Sequence, residues 1–281
     1  MRSPFFLAAR NILKATLFYG LLAGGLFALG WWLGGVRLGS VFLVVGLLMA
    51  ATIYWYGPRV LLASLGAREL QLAQGPALHS TAERLALAAG VERPRLYVIP
   101  DGHPRALSVG RAGGPPGIAF TNGLVGLLSP AELEGVIAHE LAKAHHRDLL
   151  VQTPAVLVAG WLIEASRIGG FLERALLFVL GPIAASIVQV LLSPKRELAA
   201  DARAAAICGS PHPLADALVR IEQAMELVSF QASPVTEPLY VVNPFEAVGL
   251  AAMFSTHPPI GERVQRLRAL DPAWREKLRA A

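Results

Sequence analysis

Cysteine and charge are what this sequence has least of. A single cysteine, Cys208, stands among 281 residues. That excludes a disulfide framework and a cysteine-ligated zinc site. Charged residues make up 16 %, where a soluble domain carries about 25 %. The deficit, with a hydrophobic content of 54 %, points to a membrane. The formal net charge is +5, but no basic run interleaves with aromatics, so no nucleic-acid partner is expected. The basic residues instead flank apolar runs, as membrane topology requires.

Lys14 and Arg37 bracket one uncharged run, 15–36, and Arg37 and Arg59 bracket a second, 38–58. Each is long enough to cross a hydrocarbon core of about 30 Å at about 1.5 Å per residue. The first is too long for a cleaved signal peptide and a second follows at once, so a transmembrane hairpin over 1–58 is expected. Arg2, Arg10 and Lys14 precede it and Arg59 and Arg68 follow it. The positive-inside rule then puts both ends in the cytoplasm. A second apolar region covers 149–194. Its first limb, 149–163, is short and ends at Glu164, and its second, 175–194, is long enough to span. A second hairpin is expected, against a buried helical pair as the alternative.

Two stretches, 59–148 and 195–281, remain for a soluble part. Ser80 and Glu83 have capping-box spacing and predict a helix start. Arg95–Ile99 predicts a strand, and the segments 105–110 and 117–121 predict two more around a Gly-rich turn. Ser129, Pro130 and Glu132 together predict the start of a helix. Helices are also expected over about 196–207, 213–228 and 261–270.

The helix opened by Ser129 carries AHELAKAHHRD, residues 138–148. His139 and Glu140 begin the His-Glu-x-x-His pattern of zinc hydrolases. Two histidines four apart share a helix face, so both can reach one ion, while the glutamate serves as base. The second histidine should be residue 143, which is lysine. His145 lies about 240° round the helix from His139, and His146 lies about 10 Å further along it. Neither reaches the same ion without unwinding. Lysine would have to lose its proton first, from a pKa near about 10.4. Glu197 follows the second apolar pair and is the natural third ligand. Asp201, on the same helix face, is placed to orient a ligand imidazole. The pair Glu197 and Asp201 reads equally as a solvated helix face.

Across nearly its whole length the chain resembles the HtpX-type membrane zinc metalloproteases. The resemblance rests on RALSVG, AFTNGLVGLLSPAELEGVIAHELAKAHHRD, SPKRELAADARAAAICG and MFSTHPPIGERVQRLRAL, in that order. It implies a mainly α membrane protein with four transmembrane or membrane-associated helices and a zincin-like α+β catalytic domain with a small sheet. It implies one Zn2+ held by His139, Glu197 and a residue at position 143. Glu140 matches the catalytic base and Asp201 the aspartate four residues after the ligand glutamate. His257, in the His-Pro-Pro signature, lies near the site or caps the last helix. Ala106, Leu107 and Ser108 match an edge strand that pairs with an extended substrate. The implied activity is endopeptidase cleavage of misfolded or membrane proteins in stress response and quality control. The implied place is the bacterial inner membrane, multi-pass, with the catalytic domain cytoplasmic.

Lys143 and Arg105 depart from the family pattern, and both put a cation where the family has none. Carboxylates that gain cationic partners have less need of a metal. Lys143 is therefore expected to fill the metal position and pair with Glu197 or Glu140. Exchanging residues 143 and 145 gives HELAHAKHRD, the family's normal motif. Two classes of function follow: a zinc endopeptidase impaired by Lys143, or a catalytically silent pseudoprotease that binds substrates or partner proteins.

Overall fold

The computed structural model describes residues 4–111, 113–167, parts of 179–192, 194–226 and 258–271. Helix α1 (Pro4–Ser64) contains the first two apolar runs. It is broken at Gly34 and Gly35, and Gly35 has φ +71°, a left-handed conformation that favours glycine. Past the break the chain runs back along itself, so Tyr19 and Tyr54 meet edge to face at 6.3 Å. The reversal precedes Arg37, which therefore lies in the returning limb rather than in the turn expected from the charge pattern. Large apolar side chains stand exposed on both limbs, among them Leu21 at 75 % and Leu48 at 63 %.

Among the described residues one helix, Ala8–Ser64, is long and apolar enough to cross a membrane, and Leu149–Leu162 is a shorter apolar helix. The expectation of four membrane helices is thus met only in part. Of the return limb expected at 175–194, the structure describes parts, and there Ala184, Val188 and Leu192 are buried in a core shared with α1 and the helix over 149–162.

Strand β1 (Arg68–Glu69) follows, then a 3-10 turn (Leu72–Gln74) and helix α2 (Pro76–Ala89). Helix α2 starts a turn before the Ser80–Glu83 pair. Pro76 occupies its first turn, where a missing N–H costs nothing, and the Ser80 hydroxyl donates to the Ala77 carbonyl instead of capping. Strands β2 (Arg95–Ile99), β3 (Ala106–Val109) and β4 (Gly117–Thr121) complete a sheet of order β1-β2-β4-β3. β2 and β4 are parallel, and the outer pairs are antiparallel.

Helix α3 (Asn122–Leu127) leads to α4 (Pro130–His145). The predicted capping box is present: the Ser129 side chain accepts from the Glu132 N–H and the Glu132 side chain accepts from the Ser129 N–H. Helices α5 (Leu149–Arg167), α6 (Pro194–Cys208), α7 (His212–Glu226) and α8 (Ile260–Arg268) follow.

Strand alternation sends side chains to two cores. Leu96, Ala106, Ile118 and Phe120 join a cluster with Val136, Ile137 and Leu141 of α4 and with α2, α6, α7 and α8. Ile99, Leu107, Val109 and Ala119 join a second with Ile53, Leu61 and Leu62 of α1 and with α5. The sheet thus lies between the layer holding α4 and the apolar helices α1 and α5, which is why β4 is buried throughout. α4 and α7 touch so closely that a Cβ at Gly135 would lie 2.5 Å from the Leu214 nitrogen.

Candidate active site

Two elements set the position of the central residues. Helix α4 carries His139, Glu140 and Lys143 on its buried side, and all three are fully buried. Helix α6 runs against it and brings up Glu197 and Asp201, also buried. The solvated-face alternative for these two acids is therefore not what the fold does.

His139 bridges the helices. Its Nε2 lies 3.2 Å from Glu197 Oε2 and its Nδ1 lies 2.9 Å from Asp201 Oδ1. Burial depresses the imidazole pKa, but hydrogen bonds to Asp201 and Glu197 outweigh it and the net shift is upward. Asp201 is gripped from its other side by Arg263 of α8, with Nε to Oδ2 at 2.8 Å and Nη2 to Oδ1 at 2.7 Å. Burial pushes the Asp201 carboxyl up. Arg263 and His139 more than reverse this and hold it at about 2.

Lys143 lies one turn past Glu140, with Nζ 3.3 Å from each carboxylate oxygen. Ser108 of β3 donates its hydroxyl to Glu140 Oε2. Of the two partners expected for Lys143, the structure supplies Glu140. Arg196 approaches Glu197, with Nη2 to Oε1 at 3.3 Å, and donates to the Gln152 side chain at 3.1 Å.

Strand β3 is an edge of the sheet, yet Ala106, Leu107 and Ser108 are all buried. Arg105, just before it, forms an ion pair with Asp101. His145 is half-buried, and His146 sits at the end of α4 as its C-cap. Burial, with His145 and Arg203 nearby, lowers the His146 pKa to about 4. His257 lies outside the described residues.

Sequence reasoning missed Ser108 as a partner of Glu140, as well as Arg196, Gln152 and Arg263. Arg263 had a signal. At helical spacing it shares a face with Ile260, Val264 and Leu267, and a cation on an apolar face needs a buried acid. The Ser108 contact spans 32 positions and no local pattern announces it.

The fit to a metal can be judged from the donors. The His139–Glu197 separation of 3.2 Å suits two ligands on one zinc, with bonds of about 2.0–2.2 Å. The next donor position holds a buried ammonium directed at Glu140. Among the described residues no group of three or more His, Cys, Asp or Glu side chains could hold a metal ion. The described residues do not fit the three-ligand zinc site that the resemblance implies.

The description Peptidase family M48 matches residues 72–271. A protein named Protease HtpX homolog from Acidiphilium cryptum is 39 % identical, over 92 % of this chain and 96 % of its own. One of the same name from Pyrococcus furiosus is 35 % identical, over 92 % and 95 %. The crystal structure of S. mikatae Ste24p superposes with a TM-score of 0.48 at 19 % identity, over 93 % of this chain and 66 % of that one. The chain belongs to peptidase family M48, a family of metalloproteases, among its HtpX-type members. The family implies a metal, usually zinc, and peptide or protein substrates.

Proposed function

We propose that this chain is an HtpX-type membrane endopeptidase whose proteolysis is impaired by Lys143. The observation that carries this reading is the buried Lys143–Glu140 pair. In the family's usual form His139, a histidine at 143 and Glu197 hold zinc, and Glu140 is the base. Here the ammonium occupies the ligand position and neutralises the residue assigned as base. Removing one of three protein ligands takes away much of an affinity that depends on full geometry.

The substrates in this reading are misfolded or membrane proteins, bound as an extended strand against Ala106–Ser108. The chain is multi-pass in the bacterial inner membrane, with its N-terminus and catalytic part in the cytoplasm, as the distribution of Lys and Arg supports. Asp201 and Arg263 hold the His139 ring in place from behind. A second reading, favoured by the same ion pair, is a silent pseudoprotease that binds unfolded segments or partner proteins without cutting them.

Metal content and casein cleavage of the purified chain, beside Lys143→His and the exchange Lys143→His with His145→Lys, test the proposal. The unchanged chain is expected to hold little zinc and to leave casein intact, and both variants to take up one ion and cleave. A full zinc complement and cleavage by the unchanged chain would overturn it.

A further inference from the structure

A basic cavity lies where the returning limb of α1 meets one end of the sheet. It has a volume of about 240 Å³. Its wall includes three arginines, Arg59, Arg95 and Arg111, and three aromatics, Trp55, Tyr56 and Tyr97. Among the described residues no acidic side chain lines it. None of the three arginines forms an ion pair with any described residue, whereas Arg84, Arg93 and Arg266 each hold a glutamate. The Arg111 guanidinium is placed by its stacking on Trp55, with Cζ 4.4 Å from the ring centroid.

The position along α1 identifies the ligand. Exposed Val44, Val45, Leu47 and Leu48 give way to exposed Trp55 and Tyr56, and then to Arg59. Apolar band, aromatic girdle and basic residue is the order met on passing from hydrocarbon into headgroups. The sheet end adds Arg95, the first residue of β2, and Arg111, just past β3. Three guanidinium groups with no acidic partner among the described residues, at that depth, suit a phosphate diester, since a guanidinium binds phosphate oxygens with two parallel hydrogen bonds.

We propose that this cavity binds the phosphate of an anionic phospholipid headgroup. The site is separate from the buried His139–Glu140 region, and it rests on α1 crossing a bilayer rather than on any peptidase activity. The lipid would hold the sheet end against the membrane surface through Arg95 and Arg111.

The test uses the full chain in detergent micelles, with retained phosphatidylglycerol and phosphatidylcholine measured by native mass spectrometry. Phosphatidylglycerol is expected to be retained in preference. Combined Arg59→Gln, Arg95→Gln and Arg111→Gln should cut its retention at least about tenfold, since each basic residue near an anionic surface contributes to binding. Combined Arg84→Gln, Arg93→Gln and Arg266→Gln removes the same charge elsewhere and should change little. Equal retention of the two lipids, or equal loss in the two triple variants, would overturn the proposal. Displacement of the lipid by millimolar inorganic phosphate would assign the site to free phosphate and overturn the lipid source. If the glutamine triple fails to fold, the corresponding lysine triple decides. It keeps the charge but loses the fork, so retention should fall several-fold, and undiminished retention would reduce the site to unspecific charge.

Discussion

Lys143 Nζ lies 3.3 Å from both carboxylate oxygens of Glu140, and neither side chain touches solvent. A buried pair of this kind is costly to break from one side, because the remaining charge has no water to turn to. Lys143→Met should therefore destabilise the protein by about 3–5 kcal/mol. Adding Glu140→Gln should recover much of that loss, because the neutral amide still accepts from Ser108 and no buried charge is left alone. Chemical denaturation of the unchanged chain, of Lys143→Met, of Glu140→Gln and of the double variant gives the coupling. Equal stability of Lys143→Met and the unchanged chain would mean that the ammonium has no such partner in solution.

Arg263 is the corresponding anchor on the far side of His139. It ties α8 to Asp201 of α6 through two hydrogen bonds, at 2.8 and 2.7 Å. Arg263→Met keeps the apolar stem but leaves the buried Asp201 carboxylate without its guanidinium and with His139 alone beside it, a cost of about 3–5 kcal/mol. The region around 258–271 should become the first point of attack in limited proteolysis. Cleavage first in some other segment would show that α8 is held by its apolar contacts alone.

Helix α4 packs its Gly135 against the backbone of α7, where a Cβ would meet the Leu214 nitrogen at 2.5 Å. Backbone cannot move aside as a side chain can. Gly135→Ala should cost about 1–3 kcal/mol by forcing the two helices apart. Gly126→Ala is the comparison: nothing lies within 4 Å of its Cβ position, and the change within α3 should stabilise by about 0.5–1 kcal/mol. Thermal unfolding of the two alanine variants should move in opposite directions, and a shared sign would contradict the packing.

Local rules read well in this chain, and long-range ones did not. Ser129, Pro130 and Glu132 announced the start of α4 because a cap is built from neighbours in sequence. The strands at 95–99 and 117–121 were legible because alternation and branched side chains are local too. The Ser80–Glu83 pair misled because Pro76 supplied an earlier start. Charge pattern placed the first reversal at Arg37, whereas backbone freedom placed it at Gly34 and Gly35. Within the site, His139, Glu197 and Asp201 do come together, but the sequence left solvation of the two acids open because burial depends on packing of α6 against α4. Ser108 reached Glu140 only through the fold, by the face of β3 that the sheet turns toward α4.

Asp148, just past α4, is buried beside the site and accepts from Asn11 of α1 at 2.6 Å. Burial raises its carboxyl to about 6 from the ordinary 3.8. Glu197 pushes the same way, while Arg196, Lys143 and the Asn11 hydrogen bond oppose it. Between those two values the folded protein binds more protons at this group than the unfolded chain does. Stability from this group therefore falls as pH rises through the window, and the full penalty of roughly 3 kcal/mol stands above about pH 6. Asp148→Asn keeps an oxygen for Asn11 and removes the charge. It should raise the unfolding temperature at about pH 8 and have little effect at about pH 4. A lower unfolding temperature at the higher pH would mean that Arg196 and Lys143 hold the carboxylate charged, with its ionised form contributing to the link between α1 and the end of α4.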